Sequence, residues 1–300
     1  MRTGVSHLGE EKKKGTLYLC ATPIGNLEDI TIRVLKVLRE VDVIAAEDTR
    51  HTQKLLNRYR IRTPVTSFHQ HNRVKKGEYI LKELGEGKDV ALVTDAGTPG
   101  VSDPGEELVD EALAAGFKVV PLPGPSACIT ALAVSGLPAG EFFFAGFLPA
   151  SRPARLKKLE ELLEQRGTLI FYEAPHRLVQ TLEDMRSVLG DRRAAVAREL
   201  TKVHEEVVRG TLGELAQRWR TEKPRGEFTL VVDGAPCPVR KTGDFTDAEI
   251  FELARLVGEL EAKGVERKEA IRTVARGCRV PRREVYRAVL AARGEKDAGE

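Results

Sequence analysis

Between Thr16 and Ser135, short β-branched and apolar runs alternate with segments of helical period, and this alternation constrains the fold more than any other feature of the 300-residue sequence. The predicted order is strand Leu17 to Ala21, helix Ile30 to Glu40, strand Val41 to Ala46, helix Thr49 to Tyr59, strand Val65 to Phe68, helix Val74 to Leu84, strand Val90 to Thr94, helix Pro104 to Ala115, strand Lys118 to Leu122 and helix Ser126 to Ser135. Strands joined through one helix run parallel, because the crossover returns the chain to the same end of the sheet. In the fourth helix Asp103 is read as the N-cap, Pro104 as the first helical residue, Glu106 as the capping-box partner and Gly116 as the C-terminal stop.

The Gly/Pro-rich stretch Gly136 to Gly140 marks the expected boundary of this first domain. The pattern then restarts as strand Phe142 to Gly146, helix Ala154 to Gln165, strand Thr168 to Tyr172, helix Pro175 to Leu189, strands Ala194 to Ala197 and Glu205 to Val208, helix Leu212 to Trp219 and strand Phe228 to Val232. A second break, Ala235-Pro236-Cys237-Pro238, precedes a wholly helical pattern: Asp247 to Ala262, Arg267 to Arg276 and Arg282 to Ala292, with a tight turn before the last helix as in a helix-turn-helix unit. The expected organisation is a tail over 1–14, α/β domains over 15–137 and 138–234, a linker over 235–245, a basic helical unit over 246–293 and a tail over 294–300.

A formal net charge of +3 is too small to identify a nucleic-acid binder, so the distribution of charge matters more. Between Val265 and Arg293 nine Arg and Lys stand against three Glu, which suits either RNA phosphates or a solvated helix face. Cys20, Cys128, Cys237 and Cys278 are scattered without CxxC or His at ligand spacing, so neither zinc nor a disulfide framework is expected. With no apolar core in the first residues and no apolar run of about 18, the expectation is a cytoplasmic protein that does not enter a membrane.

Neither G-x-G-x-x-G nor G-x-x-x-x-G-K-[ST] occurs, which argues against NAD and ATP. Instead three Gly/Pro-rich loops follow strands: Thr22 to Asn26, Asp95 to Gly100, and Pro123 to Ala127. In a parallel sheet they share one edge, the edge where ligands bind. Proline fixes φ and removes an amide donor, so these loops make rigid walls rather than the amide-lined cradle a phosphate prefers. Such walls, with the Asp95 carboxylate beside them, suit a flat adenosine carrying an amino-acid tail and a cationic sulfur.

Thr16 to Leu27, Ala46-Glu47-Asp48-Thr49-Arg50, Val93 to Pro99, Pro121 to Ser126 and Phe171 to Arg177 resemble the tetrapyrrole methylase superfamily and, within it, the branch of 16S ribosomal RNA (cytidine-2′-O)-methyltransferases; the resemblance runs from about Thr16 to Asp233. It implies two α/β domains with S-adenosylmethionine in the cleft between them, a homodimer, and methylation of a cytidine ribose, cytidine 1402, in 16S rRNA of the small ribosomal subunit. By this resemblance donor contacts fall on Pro23, Ile24, Asp95, Gly97, Thr98, Ser126 and Ala127, with Tyr172 and the stretch Gly226 to Phe228 from the second domain. Relatives also carry the basic helical unit.

A ribose hydroxyl is a weak nucleophile, so a group must position it and accept its proton. Carboxylates beside the cleft loops are the candidates: Glu47, Asp48, Glu173 and Glu199. Asp48 equally suits an N-cap, and Glu173 an i,i+4 ion pair with Arg177. Arg50, His176, Arg177, Arg198 and Lys202 are the candidate RNA contacts near the cleft, and Arg279, Arg282 and Arg283 those of the helical unit.

Overall fold

The computed structural model describes residues 14–236, 246–278 and 280–293. The expected tail over 1–13, the linker residues 237–245, Arg279 and the tail 294–300 lie outside the described residues. The chain divides after Gly234 into two compact units.

The first half of unit 1 is a five-stranded parallel sheet of order β3-β2-β4-β1-β5, built from β1 (Thr16–Cys20), β2 (Val43–Ala46), β3 (Val65–Ser67), β4 (Val90–Val93) and β5 (Lys118–Leu122). Its helices are α1 (Ile32–Glu40), α2 (Thr49–Arg58), α3 (Arg73–Gly85), α4 (Glu106–Ala114) and α5 (Ala127–Ser135). Every residue of β2 (VIAA) and β4 (VALV) is buried, as befits inner strands of a parallel sheet covered on both faces. One face packs Val34, Leu38, Leu55 and Leu56, the other Ile80, Leu84 and Leu108.

The expected start of the fourth helix is corrected. Helix α4 begins at Glu106 with Gly105 (φ 141°) at its N-cap, and no side chain caps it. Asp103 is therefore not an N-cap. The stretch before it turns too tightly for helix, with Gly100 at φ 81° and Ser102 at φ 62°, and Asp103 is released to face the cleft.

The second sheet is mixed, of order β6-β7-β10-β8-β9, from β6 (Phe142–Phe147), β7 (Thr168–Glu173), β8 (Arg193–Arg198), β9 (Glu206–Thr211) and β10 (Phe228–Val232). Only β6 and β7 pair in parallel; the other three pairings are antiparallel. Helices α6 (Arg152–Glu161), α7 (Leu178–Leu189) and α8 (Leu212–Thr221) cover one face around Phe171, Met185 and Trp219. The other face receives α5, whose Cys128, Ala131 and Leu132 pack with Ile170, Ala195, Ala197 and Val231. That explains why α5 (ACITALAVS) is apolar round its whole circumference and carries no charge.

Unit 2 holds α9 (Asp247–Ala262), α10 (Arg267–Gly277) and α11 (Arg282–Arg293), packed around Leu253, Val257, Ile271, Val285 and Val289. Among the described residues no helix is long and apolar enough to cross a membrane.

Candidate active site

Strands β1, β4 and β5 are neighbours and parallel, so the three Gly/Pro loops emerge side by side at their carboxyl ends. The first two loops are sewn together: Thr22 N donates to Gly97 O (2.8 Å), Gly97 N to Thr22 O (3.0 Å), and Thr22 Oγ1 to Thr94 O (2.9 Å). Gly97 sits at φ 85°, a conformation that a residue with a side chain seldom adopts. Two further bonds tie this edge to the second sheet. Asn26 N donates to Thr201 Oγ1 (3.1 Å), and Cys128 N at the start of α5 donates to Tyr172 Oη (3.2 Å).

Between them lies a cavity of about 340 Å³, within the range of small-molecule clefts, roughly 300–1,000 Å³. Of the eight donor contacts expected from sequence, Ile24, Gly97, Thr98, Ser126, Ala127 and Tyr172 line it, and Gly226 to Phe228 close it from the second sheet. Pro23 and Asp95 are not on its wall. Pro23 is buried, and the Asp95 carboxylate accepts from Asp48 N (3.1 Å), tying the loop after β4 to the loop after β2. Burial pushes the Tyr172 hydroxyl up to about 12, so it stays a neutral donor and acceptor.

A second, more polar cavity of about 380 Å³ adjoins the first, lined by residues of α3 and α4 together with Glu47. Ser102 and Asp103 are the two residues that line both. Sequence reasoning missed Asp103 by reading it as a helix N-cap. Burial first, then the negative Glu47 and Asp95, push the Asp103 carboxyl up to about 6.

The four candidate carboxylates differ in what already holds them. Glu47 Oε2 accepts from Thr94 Oγ1 (2.9 Å) and lines the polar cavity. Asp48 caps α2, accepting from Arg50 N (2.8 Å), and pairs with the Arg50 guanidinium (3.0 Å), whose hydrogen bonds hold it down at about 2. Glu173 is buried and accepts from Arg177 Nη2 (2.7 Å), Thr181 Oγ1 (2.6 Å) and Ala174 N (2.7 Å). Glu199 takes Lys202 Nζ and Glu227 N, both at 2.9 Å; burial would raise its pKa, but these bonds lower it.

Several candidate RNA contacts also have protein partners. Arg198 Nε donates to Arg225 O (2.9 Å), and Lys202 pairs with Glu227 as well as Glu199 (2.9 Å each). His176 is exposed, and Arg50 lies beside Lys54 on the outer face of α2. In unit 2, Arg282 and Arg283 line a groove with Lys268, Arg272 and the half-exposed ring of Tyr286. Among the described residues no group of three or more His, Cys, Asp or Glu is arranged to hold a metal ion.

Comparison with known proteins agrees with this geometry. The family model of tetrapyrrole (corrin/porphyrin) methylases matches residues 16–216. The ribosomal RNA small subunit methyltransferase I of Halalkalibacterium halodurans is 48% identical over 278 residues, covering 91% of this chain and 94% of that protein. Its namesake from Thermotoga maritima is 50% identical over 220 residues, covering 73% of this chain and 99% of that protein. Among solved structures, a cobalt precorrin-4 methyltransferase superposes with a TM-score of 0.56 at 20% identity, covering 73% of this chain and 94% of the other, which shows a shared fold.

Proposed function

The chain belongs to the tetrapyrrole (corrin/porphyrin) methylase family and, within it, to the ribosomal RNA small subunit methyltransferase I group, and from that premise we propose that it transfers a methyl group from S-adenosylmethionine to a cytidine 2′-hydroxyl of 16S rRNA, cytidine 1402 in the small subunit. The observation that carries the reading is the convergence of six sequence-predicted donor contacts from both sheets on one cavity. Sequence relatives at 46–50% identity are named for ribosomal RNA, whereas a structural neighbour named for a corrin precursor stands at 20%; the higher identity favours RNA.

The residues present fit the donor. Ile24, Ala127, Leu200 and Phe228 supply apolar walls for a flat adenosine. Ser126 and the N-terminal end of α5 suit a carboxylate, since helix N-termini favour negative charge. Bound S-adenosylmethionine supplies a methyl on a cationic sulfur, which an alcohol oxygen can displace. The chain contributes orientation, exclusion of water from a cavity closed by both sheets, and a proton acceptor. No metal enters this reading.

Arg50, His176, Arg177, Arg198 and Lys202 are the RNA contacts of this reading near the cleft, and the groove of Arg282, Arg283 and Tyr286 in unit 2 offers phosphate contacts and a ring for stacking. Arg279 belongs to the same basic sequence. The protein works in the cytoplasm, where ribosomes are assembled, as a pair of subunits; exposed Phe142 and Phe143 on the edge strand β6 support that pairing.

Transfer of labelled methyl to purified small subunits, followed by mapping of the labelled nucleotide, tests the reading. Label on a single cytidine ribose of 16S rRNA is expected. No label in any rRNA, with label entering a porphyrin or corrin instead, overturns it.

A further inference from the structure

We infer that Asp103 is the proton acceptor for the methylated hydroxyl, held where the donor cavity meets the polar cavity beside it. This rests on the reading of the preceding subsection. Four observations lead to it.

The first is position. Asp103 and its neighbour Ser102 line both cavities, so a group on Asp103 meets a ligand in either. An acceptor hydroxyl entering from the polar side arrives at this carboxylate before it meets the donor.

The second is that the other carboxylates on the donor wall, and those singled out from the sequence, are engaged. Asp48 is tied to Arg50, Asp95 to Asp48 N, Glu173 to Arg177 and Thr181, and Glu199 to Lys202. Glu47 lines only the polar cavity and receives the Thr94 hydroxyl. Glu227, on the donor wall, pairs with Lys202.

The third is how the backbone presents it. Ser102 stands at φ 62°, a left-handed conformation that a residue with a side chain seldom adopts. Gly146, at φ 62° in the β6 bulge, is where the second sheet meets this turn: a Cβ built there would stand 2.8 Å from Ser102 Oγ. Strain held by surrounding structure in this way is typical of functional loops.

The fourth is chemistry. A general base works best with a pKa near the working pH, and Asp103 at about 6 is ionised at neutrality yet far more basic than an ordinary carboxylate. The groups around it account for this. Burial first, then Glu47 at the end of β2 and Asp95 at the end of β4, disfavour its charge. Tyr172 on β7 stays neutral, and on the polar side Arg73 of α3 is paired with Glu107 of α4 (2.7 Å), beside Glu106. Among the described residues no unpaired cation lines that wall.

The balance closes. The 2′-oxygen forms a bond to the methyl carbon as the carbon–sulfur bond breaks, its electron pair staying on sulfur to give a neutral thioether. The hydroxyl proton passes to Asp103 Oδ. One positive sulfonium and one negative carboxylate become two neutral groups, and the proton later leaves to water.

The test uses the full chain and its Asp103→Asn variant. Calorimetry with S-adenosylmethionine should give affinities within about threefold of each other, showing that the cavity survives. Methyl transfer to small subunits should fall by roughly 10²–10⁴-fold. In the wild-type protein the single-turnover rate should bend near pH 6, falling below it, and the variant should lose that bend. Independently of activity, the Asp103 carboxyl carbon, observed by NMR, should titrate near 6. A variant within fivefold of wild type, a wild-type profile flat from pH 5 to 8, or a carboxyl titrating near 4 overturns the inference and leaves the methyltransferase reading standing. A wild-type protein that labels no RNA overturns both.

Discussion

Single residues set the shape of the cleft, and Gly97 is the plainest case. Its φ of 85° lets both of its backbone hydrogen bonds reach Thr22. Gly97→Val puts a β-branched side chain on a backbone that disfavours it by about 1–2 kcal/mol, and the loop relaxes by giving up those bonds. Calorimetry should then show donor affinity reduced at least tenfold, with thermal melting lowered by only a few degrees. Unchanged affinity would mean that the Thr22–Gly97 seam does not shape the cavity.

Asp103 makes a separate statement about stability. Its folded pKa, about 6, exceeds that of an unfolded carboxyl. The folded state thus holds this proton more tightly, and the associated stability is complete below about pH 4 and lost as pH rises through 6. Asp103→Asn removes the ionisable group and with it the loss. The melting temperature of the variant should exceed that of wild type above pH 6 and converge with it near pH 4; a constant difference across that range would contradict the burial of this carboxyl.

The same residue shows where sequence reading stops. Asp103-Pro104-Gly105-Glu106 has the spacing of a helix N-terminus, yet Gly105 takes the cap and Asp103 turns to the cleft. The φ of Ser102, which decides this, carries no composition signal. Conversely, parallel topology made the shared edge of the three Gly/Pro loops legible, whereas the individual contacts Ile24, Gly97, Thr98, Ser126 and Ala127 came from the family resemblance. Asp95 sits in such a loop too, but its carboxylate is spent on Asp48 N, a long-range contact that local pattern cannot show.

At the scale of elements, α7 is pinned to α6 by charge rather than by apolar packing alone. Asp184, fully buried, receives Arg155 Nη2 at 2.7 Å and Arg152 Nε at 3.0 Å, and Arg155 is itself buried. Removing one member of a buried pair strands the other without a partner. Asp184→Ala should therefore cost about 3–5 kcal/mol in urea unfolding, while Arg152→Ala, whose side chain is largely exposed, should cost under about 1 kcal/mol. Equal effects would refute the burial argument. Element order and type in both sheets were readable from periodicity, since inner strands such as β2 and β4 are unbroken apolar runs. Strand order was not: that β4 inserts between β1 and β2, and β10 between β7 and β8, depends on contacts distant in sequence.

For the whole molecule the question is what unit 2 adds. The Thermotoga maritima relative aligns over 220 residues at 99% of its own length, room for the two sheets but not for the helical unit as well. The two-sheet unit is thus a complete protein there, and a truncation after Pro236 should keep its fold and its donor affinity. RNA is a different matter. The stretch from Val265 to Arg293 carries six more positive than negative side chains, and Arg282, Arg283, Arg272 and Lys268 line one groove. If that groove makes two to four phosphate contacts, its loss lowers the slope of log affinity against log salt by roughly 1.5–3. Binding of small subunits at several salt concentrations should show the truncated chain weaker at low salt and converging on the full chain as salt rises. Arg282→Glu with Arg283→Glu in the full chain should move the slope the same way without removing any helix. Parallel salt slopes for all three proteins would assign the basic helices to solvent.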